Sequence, residues 1–231
     1  MAKHVVITGA NRGIGLGFVK YYLANGDIVS ACCRQPAQAS ALIQLAESHP
    51  NLNIIQLDVT DETSVQALPR HLNDAPIDLL INNAGYYGPK GIGFGQLHAP
   101  EWQKVLAVNT IAPLMVTQTC YPMLQKATNA KVVCISSKMG SMADNQSGGS
   151  YLYRSSKAGL NAALKSLAID LSSEEIYCAA FHPGWVQTDM GGPNALITVN
   201  EAVAQMAECI DKLDAGQSGL FLNFDGQVIP W

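Results

Sequence analysis

Charge is scarce in this sequence. Only 14% of its 231 residues are Asp, Glu, Lys or Arg, against roughly 25% in an ordinary globular protein. Fourteen Lys and Arg face 18 Asp and Glu, a formal net charge of −4, so no global field draws in nucleic acid or anionic lipid. Hydrophobic residues make up 48% of the chain, which is a poor fit to disorder or a coiled coil. No apolar run reaches the roughly 18 residues of a membrane span. The apolar stretch from His4 to Thr8 runs straight into Gly9-Ala10-Asn11-Arg12 and is too short for a signal peptide. Six cysteines (32, 33, 120, 134, 178 and 209) form no Cys-x-x-Cys pair, and most sit in apolar contexts such as Val133-Cys134-Ile135. They read as buried, reduced structural thiols of a cytoplasmic protein. No metal site is expected.

Apolar, β-rich runs alternate with helical patterns. Strands are predicted at 5–7, 28–33, 53–57, 77–81, 131–135, 176–181 and 220–222. Helices are predicted from the glycine-rich turn to about Asn25, and near 38–48, 62–73, 100–127, 151–171 and 200–212, the third starting from Thr60 or Asp61 as N-cap. Continuous apolar strands between helices imply a parallel sheet covered on both faces. Right-handed crossovers then give a doubly wound Rossmann-type α/β fold of about seven strands. With no linker, repeat or low-complexity block, residues 1–231 read as one domain.

Thr8-Gly9-Ala10-Asn11-Arg12-Gly13-Ile14-Gly15 follows the first strand and opens the first helix. Glycines there permit a tight turn and let backbone N–H groups approach a pyrophosphate at the helix N-terminus. The spacing is G-x-x-x-G-x-G, and the absence of Gly-Lys-Ser/Thr excludes a P-loop. The second strand ends in Cys33-Arg34 with no acidic residue to hold an NAD ribose. Arg34, with Arg12 in the loop, supplies forked donors suited to a 2′-phosphate, so NADP(H) is the expected cofactor.

Tyr153 and Lys157 lie four apart at a predicted helix start and share a face. A nearby ammonium favours the phenolate and would bring the Tyr153 pKa down, making it a usable general acid for a carbonyl oxygen. Tyr151 competes for that role, but the residue four beyond it is Ser155. Ser136 and Ser137 end the fifth strand, where function gathers in open α/β sheets. Ser137 is the expected oxygen-stabilising hydroxyl, with Ser141 and the serines of 147–150 as alternatives. Asn82-Asn83-Ala84-Gly85 ends the fourth strand. Asn109 falls mid-helix, where its propensity is poor, which suggests a buried hydrogen-bonding role.

Together these segments resemble the short-chain dehydrogenase/reductase family over nearly the whole chain. The resemblance rests on residues 8–15, Asp58-Val59, residues 82–85, Asn109, Ser137, Tyr153/Lys157 and Pro183-Gly184, in the family's order. Residues 182–190 resemble its carbonyl-reductase-like branch, and the ending at 219–231 looks like the sniffer and C-factor subgroup. The resemblance implies that Gly9, Asn11, Arg12, Gly13, Ile14 and Gly15 hold the cofactor phosphates. It implies that Asp58 and Val59 hold adenine, that Asn83, Ala84 and Gly85 line the dinucleotide, and that Pro183, Gly184, Val186 and Thr188 lie by the nicotinamide. Lys157 would also bind the nicotinamide ribose, and Asn109 would hold a water of a proton relay. The loop from Ser137 to Tyr153 is about three residues longer than the family's common spacing.

The implied activity is an NADPH-dependent carbonyl reductase, with Tyr153 as proton donor and Ser137 stabilising the oxygen. Met139, Tyr86, Trp185 and Met190 are the expected pocket residues, favouring an apolar or aromatic aldehyde, ketone or quinone. A C-factor-like signalling protein that binds NAD(P) with little turnover is the alternative. The expected partners are a small carbonyl substrate and further copies of the chain, as homodimer or homotetramer, with neither nucleic acid nor membrane.

Overall fold

The computed structural model describes residues 2–231. Seven strands form one sheet: β1 (His4–Thr8), β2 (Ile28–Cys33), β3 (Leu52–Gln56), β4 (Leu79–Asn82), β5 (Lys131–Ile135), β6 (Tyr177–His182) and β7 (Leu220–Asn223). Every pairing is parallel, in the order β3-β2-β1-β4-β5-β6-β7. The doubly wound α/β sheet expected from the sequence is present. Its strand order reverses between β1 and β4, the switch point where such sheets hold ligands.

Alternation along the strands builds two cores. Val5 and Ile7 face one layer and Val6 the other. The first layer is covered by α1 (Gly13–Ala24), α2 (Ser40–Ala46) and α8 (Val199–Lys212), through Phe18, Tyr22, Leu42, Met206 and Ile210. The second is covered by α3 (Glu62–Gln66), α4 (Leu68–His71), α6 (Ala112–Leu124) and α7 (Tyr151–Asp170), through Leu68, Val116, Met123, Leu160 and Leu164. The last helix, α5 (Ala99–Leu106), rests on α7, where the Trp102 indole N–H donates to Ser155 Oγ at 2.8 Å.

Two helices differ from the sequence pattern, and proline accounts for both. The helix expected over 62–73 breaks at Ala67 into α3 and α4, because Pro69 has no N–H to return to Val65. Asp61 is its N-cap, accepting from the N–H groups of Thr63 and Ser64. The long helix expected over 100–127 carries a π-turn at Ala107–Ile111, between α5 and α6. Pro113 cannot donate to the Asn109 carbonyl and would clash with it in an unbroken α-helix. One wider turn relieves that conflict, and the Ala112 N–H reaches back to the Ala107 carbonyl.

Candidate active site

The carboxyl ends of β1 and β4 are joined by a crosspiece of hydrogen bonds. Thr8 Oγ1 accepts from the N–H groups of Asn83 and Ala84, each at 3.0 Å. Asn83 Nδ2 donates to the carbonyls of Thr8 at 2.9 Å and Gly9 at 3.0 Å. The Asn83 side chain therefore braces the glycine loop. Gly9 turns with φ +63°, and a Cβ there would lie 2.9 Å from Ala84 Cα. A Cβ at Gly15 would run into the Gly9 carbonyl and the Asn83 amide. Bare backbone is thus required at both positions, and it forms the floor of a cradle. The cradle opens on the start of α1, whose N-cap residue Arg12 makes no side-chain cap. The first-turn N–H groups remain open to an anion. Asn11 and Arg12 are exposed on the rim, and Ile14 packs half-buried beside the first core.

Arg12 is not a free cation. Its guanidinium meets the Asp189 carboxylate at 2.7 Å, linking the glycine loop to the chain after β6. Both side chains are largely exposed, so the pair is weak and exchangeable for a phosphate. Arg34 is exposed beyond β2. Burial works to raise the Asp58 carboxyl, but the Thr60 N–H and hydroxyl and the charge of Arg34 outweigh it and hold the group below its ordinary range. Val59 is half-buried against the second core.

Ser137, Tyr153, Lys157 and Asn109 come together at the ends of β4 and β5. Ser137 caps a single 3-10 turn, its hydroxyl accepting from the Met139 N–H at 3.2 Å. Lys157 Nζ lies 5.8 Å from the Tyr153 ring centroid and donates to the Ile135 carbonyl at 2.7 Å. The π-turn aims Asn109 inward, fully buried. Its Oδ1 accepts from the Tyr86 N–H at 2.8 Å, and its Nδ2 donates to the Tyr86 carbonyl and to Ser156 Oγ. A Cβ on Gly85 would lie 3.6 Å from Asn109 Oδ1 and 3.8 Å from Lys157 Nζ, which measures how closely these segments converge.

The electrostatics correct one expectation. Burial pushes the Tyr153 phenol up to about 12; a hydrogen bond with Ser137 opposes this and the neighbouring Tyr87 adds to it. Lys157, expected to lower Tyr153, is itself brought down to about 8 by burial. Desolvation disfavours both charges, and the ammonium is directed at a carbonyl instead of the phenol.

The rival hydroxyls are committed elsewhere. Ser136 donates to Asn161 Oδ1 at 2.7 Å, Ser141 bonds the Pro230 carbonyl, and Ser147 accepts from Arg154. Tyr151 is 37% exposed, against 8% for Tyr153. The loop between Ser141 and Ser150 is exposed and turns through Gly148 and Gly149, both at φ +65°.

The segment after β6 bounds the other side. Pro183 and Gly184 make the turn, Gly184 lying against Ile197 and Phe224. Val186 is buried and pairs with Ile197. Thr188 Oγ1 bonds the Val186 carbonyl and the Gly191 N–H. Of the expected pocket residues, Trp185 is half-exposed and tied by its indole N–H to the Gly191 carbonyl, and Met190 is exposed. Met139 is half-buried, and the Tyr86 hydroxyl reaches Glu101 at 3.4 Å. A hollow of about 400 Å³ lies at the amino ends of β1, β2 and β4, among His4, Ser30, His71 and Asp78, away from the carboxyl ends that carry the site.

Ser156, Asp189 and Tyr87 also belong to this region, and sequence reasoning did not select them. Ser156 and Asp189 carry no local signal, since each matters through a partner far along the chain. Tyr87 had one: it is half of a Tyr-Tyr doublet directly after Gly85.

A family model described as short chain dehydrogenase matches residues 3–196. The C-signal of Myxococcus xanthus is 38% identical over 72% of this chain and 100% of its own length. An NADPH-bound carbonyl reductase from chicken fatty liver superposes with TM-score 0.93 at 39% identity, covering 100% of this chain and 99% of the other. The carbonyl reductase Sniffer of D. melanogaster gives 0.95 at 36% identity, with both chains fully covered.

Proposed function

The chain belongs to the short-chain dehydrogenase family, and from that premise we propose that it is an NADPH-dependent carbonyl reductase. The observation that carries the reading is the grouping of Ser137, Tyr153 and Lys157 beside an uncapped helix N-terminus floored by glycine. The residues present suit a dinucleotide phosphate: open N–H groups at α1, and Arg12 and Arg34 as exposed cations. When bound, NADPH supplies the hydride that reduces the carbonyl carbon. Asn11, Gly13, Ile14 and Gly15 seat its phosphates, Asp58 and Val59 its adenine, and Thr188 with the 183–186 turn its nicotinamide end.

Tyr153 gives its proton to the substrate oxygen as charge develops there. A buried phenol held up near 12 is protonated at neutral pH, which suits a proton donor. The Ser137 hydroxyl stabilises the same oxygen. Lys157, anchored on the Ile135 carbonyl, would hold the ribose and return a proton towards Tyr153, and Asn109, which fixes the Tyr86 backbone, would hold the water of the relay behind it. The exposed Trp185 and Met190 favour a small apolar or aromatic aldehyde, ketone or quinone. We read the working form as cytoplasmic, consistent with six free thiols, five of them buried. We read it as a homodimer or homotetramer joined near the exposed Ile111, Met115 and Ile169.

NADPH oxidation is measured against a panel of quinones, aldehydes and diketones. Turnover is expected in the parent chain, and its loss by at least about 100-fold is expected in Tyr153→Phe with NADPH binding retained. Full activity in that variant refutes the assignment. Similarity to C-signal favours a second reading, an NADP-binding signalling protein. Tight NADPH binding with no turnover on any panel member selects it.

A further inference from the structure

Tyr87 has no part in the chemistry described above, yet it is the residue laid against the proton donor. It stands in the loop between Gly85 and α5. Its ring stacks on that of Tyr153, with centroids 4.6 Å apart and planes inclined by 29°. Its hydroxyl is hydrogen-bonded to Ser150 Oγ at 3.0 Å, immediately before α7 begins. An ammonium lies over each ring: Lys90 Nζ is 5.8 Å from the Tyr87 centroid, and Lys157 Nζ is 5.8 Å from that of Tyr153. Lys90 also reaches the Met190 carbonyl at 3.5 Å, in the segment across the cleft. Tyr87 and Tyr153 together line a slot of about 150 Å³ with Pro89, Ile92 and Ser150.

A tyrosine delivers its proton well only if its ring is confined, because rotation about Cα–Cβ sweeps the hydroxyl through several ångströms. Tyr153 lies in the first turn of α7, where one helical turn alone would not confine it. An offset aromatic stack restricts the plane of both rings without blocking the hydroxyl edge. We propose that Tyr87 is a positioning residue for Tyr153: its stacked ring fixes the plane of the Tyr153 phenol and shields that ring from water, so that the hydroxyl meets the substrate oxygen in one orientation. The Ser150 hydrogen bond and Lys90 hold Tyr87 from its outer side. The groups that face Tyr153 are then the Ser137 hydroxyl from the turn after β5, the Tyr87 ring from the loop after β4, and Lys157 from α7.

This inference rests on Tyr153 as proton donor, and its test separates the two. Tyr87→Leu keeps apolar bulk and removes the stack; Tyr87→Phe keeps the stack and removes only the hydroxyl. With NADPH and the most active member of the carbonyl panel, Tyr87→Leu is expected to lower kcat about 10- to 100-fold, with KM and the NADPH Kd within about threefold. Tyr87→Phe is expected to restore kcat to within about threefold of the parent. A near-ultraviolet phenolate titration of cofactor-free protein provides a readout independent of turnover. The Tyr153 signal is isolated by subtracting the matching Tyr153→Phe variant. In Tyr87→Leu it should ionise at least about one pH unit lower than in the parent, since water regains the ring. Unchanged kcat and unchanged titration in Tyr87→Leu, or an equal loss of kcat in the Leu and Phe variants, overturn the proposal. A parent chain that turns over nothing refutes the reductase reading alone, and the titration then decides the role of Tyr87.

Discussion

At the residue scale, the site depends on a few side chains that each bridge two segments. Asn83 is the clearest: one amide group holds the Thr8 and Gly9 carbonyls while its own N–H meets Thr8 Oγ1. Asn83→Ala removes two bonds, to the carbonyls of buried Thr8 and half-buried Gly9. It should destabilise the fold by about 1–3 kcal/mol and weaken NADPH binding more than that loss alone explains, measured by urea denaturation and calorimetric titration. Arg34 acts differently, since it is exposed and touches the fold only through the field at Asp58. Arg34→Ala should leave stability within about 0.5 kcal/mol and weaken NADPH about 10- to 100-fold with little effect on NADH. Equal losses for the two nucleotides would sink its assignment to the 2′-phosphate.

At the scale of elements, each strand and helix type was legible because its signal is local. Apolar runs of β1, β4, β5 and β6 between helical stretches specified a parallel sheet, and the leucine spacing of 160, 164, 167 and 171 marked the side of α7 and its C-cap that packs on the second core. Where proline interrupts helical periodicity, the pattern was continuous in apolar spacing and gave no break. Hence α3 and α4 read as one helix, and the π-turn before Pro113 read as plain α-helix. Asn109 was still recognised, because its poor propensity survived that error. Tyr87 was passed over because its doublet with Tyr86 marks the position but not the partner: the stack on Tyr153 joins residues from different elements. Packing predictions belong to this scale. Leu164 is fully buried beneath the sheet in the second core, so Leu164→Ala should cost about 2–5 kcal/mol in chemical denaturation. The box that opens α8, with Thr198 accepting from the Glu201 N–H and Glu201 from the Thr198 N–H, should lose about 0.5–2 kcal/mol in Thr198→Ala.

At the scale of the whole molecule, pH acts through groups that burial keeps neutral. His182, at the end of β6, is brought down to about 4 by burial, with Lys138 adding to the effect and Asp144 opposing it; its Nδ1 has no partner among the described residues. An unfolded chain holds the same imidazole near 6.5. Between those values the unfolded state binds more protons, so stability is complete above about 6.5 and falls as the pH drops towards 4, by up to about 3 kcal/mol. Urea denaturation at pH 7.5 and at pH 4.5, roughly the ends of that window, should show a smaller difference in His182→Leu than in the parent chain. A different constraint comes from the π-turn at Ala107–Ile111. One surplus residue in a helix is a phase shift of about 100°. It lets α5 present Trp102 to Ser155 while α6 presents Val116, Cys120 and Met123 to the sheet. Deleting one residue from that turn would remove its extra width, set Pro113 against the carbonyl four residues before it, and put the two halves out of phase, so only one of the two faces could dock. Chain length is therefore quantised at this point: substitutions within 107–111 are graded in effect, whereas a single-residue gap there forces a choice between the core and the site.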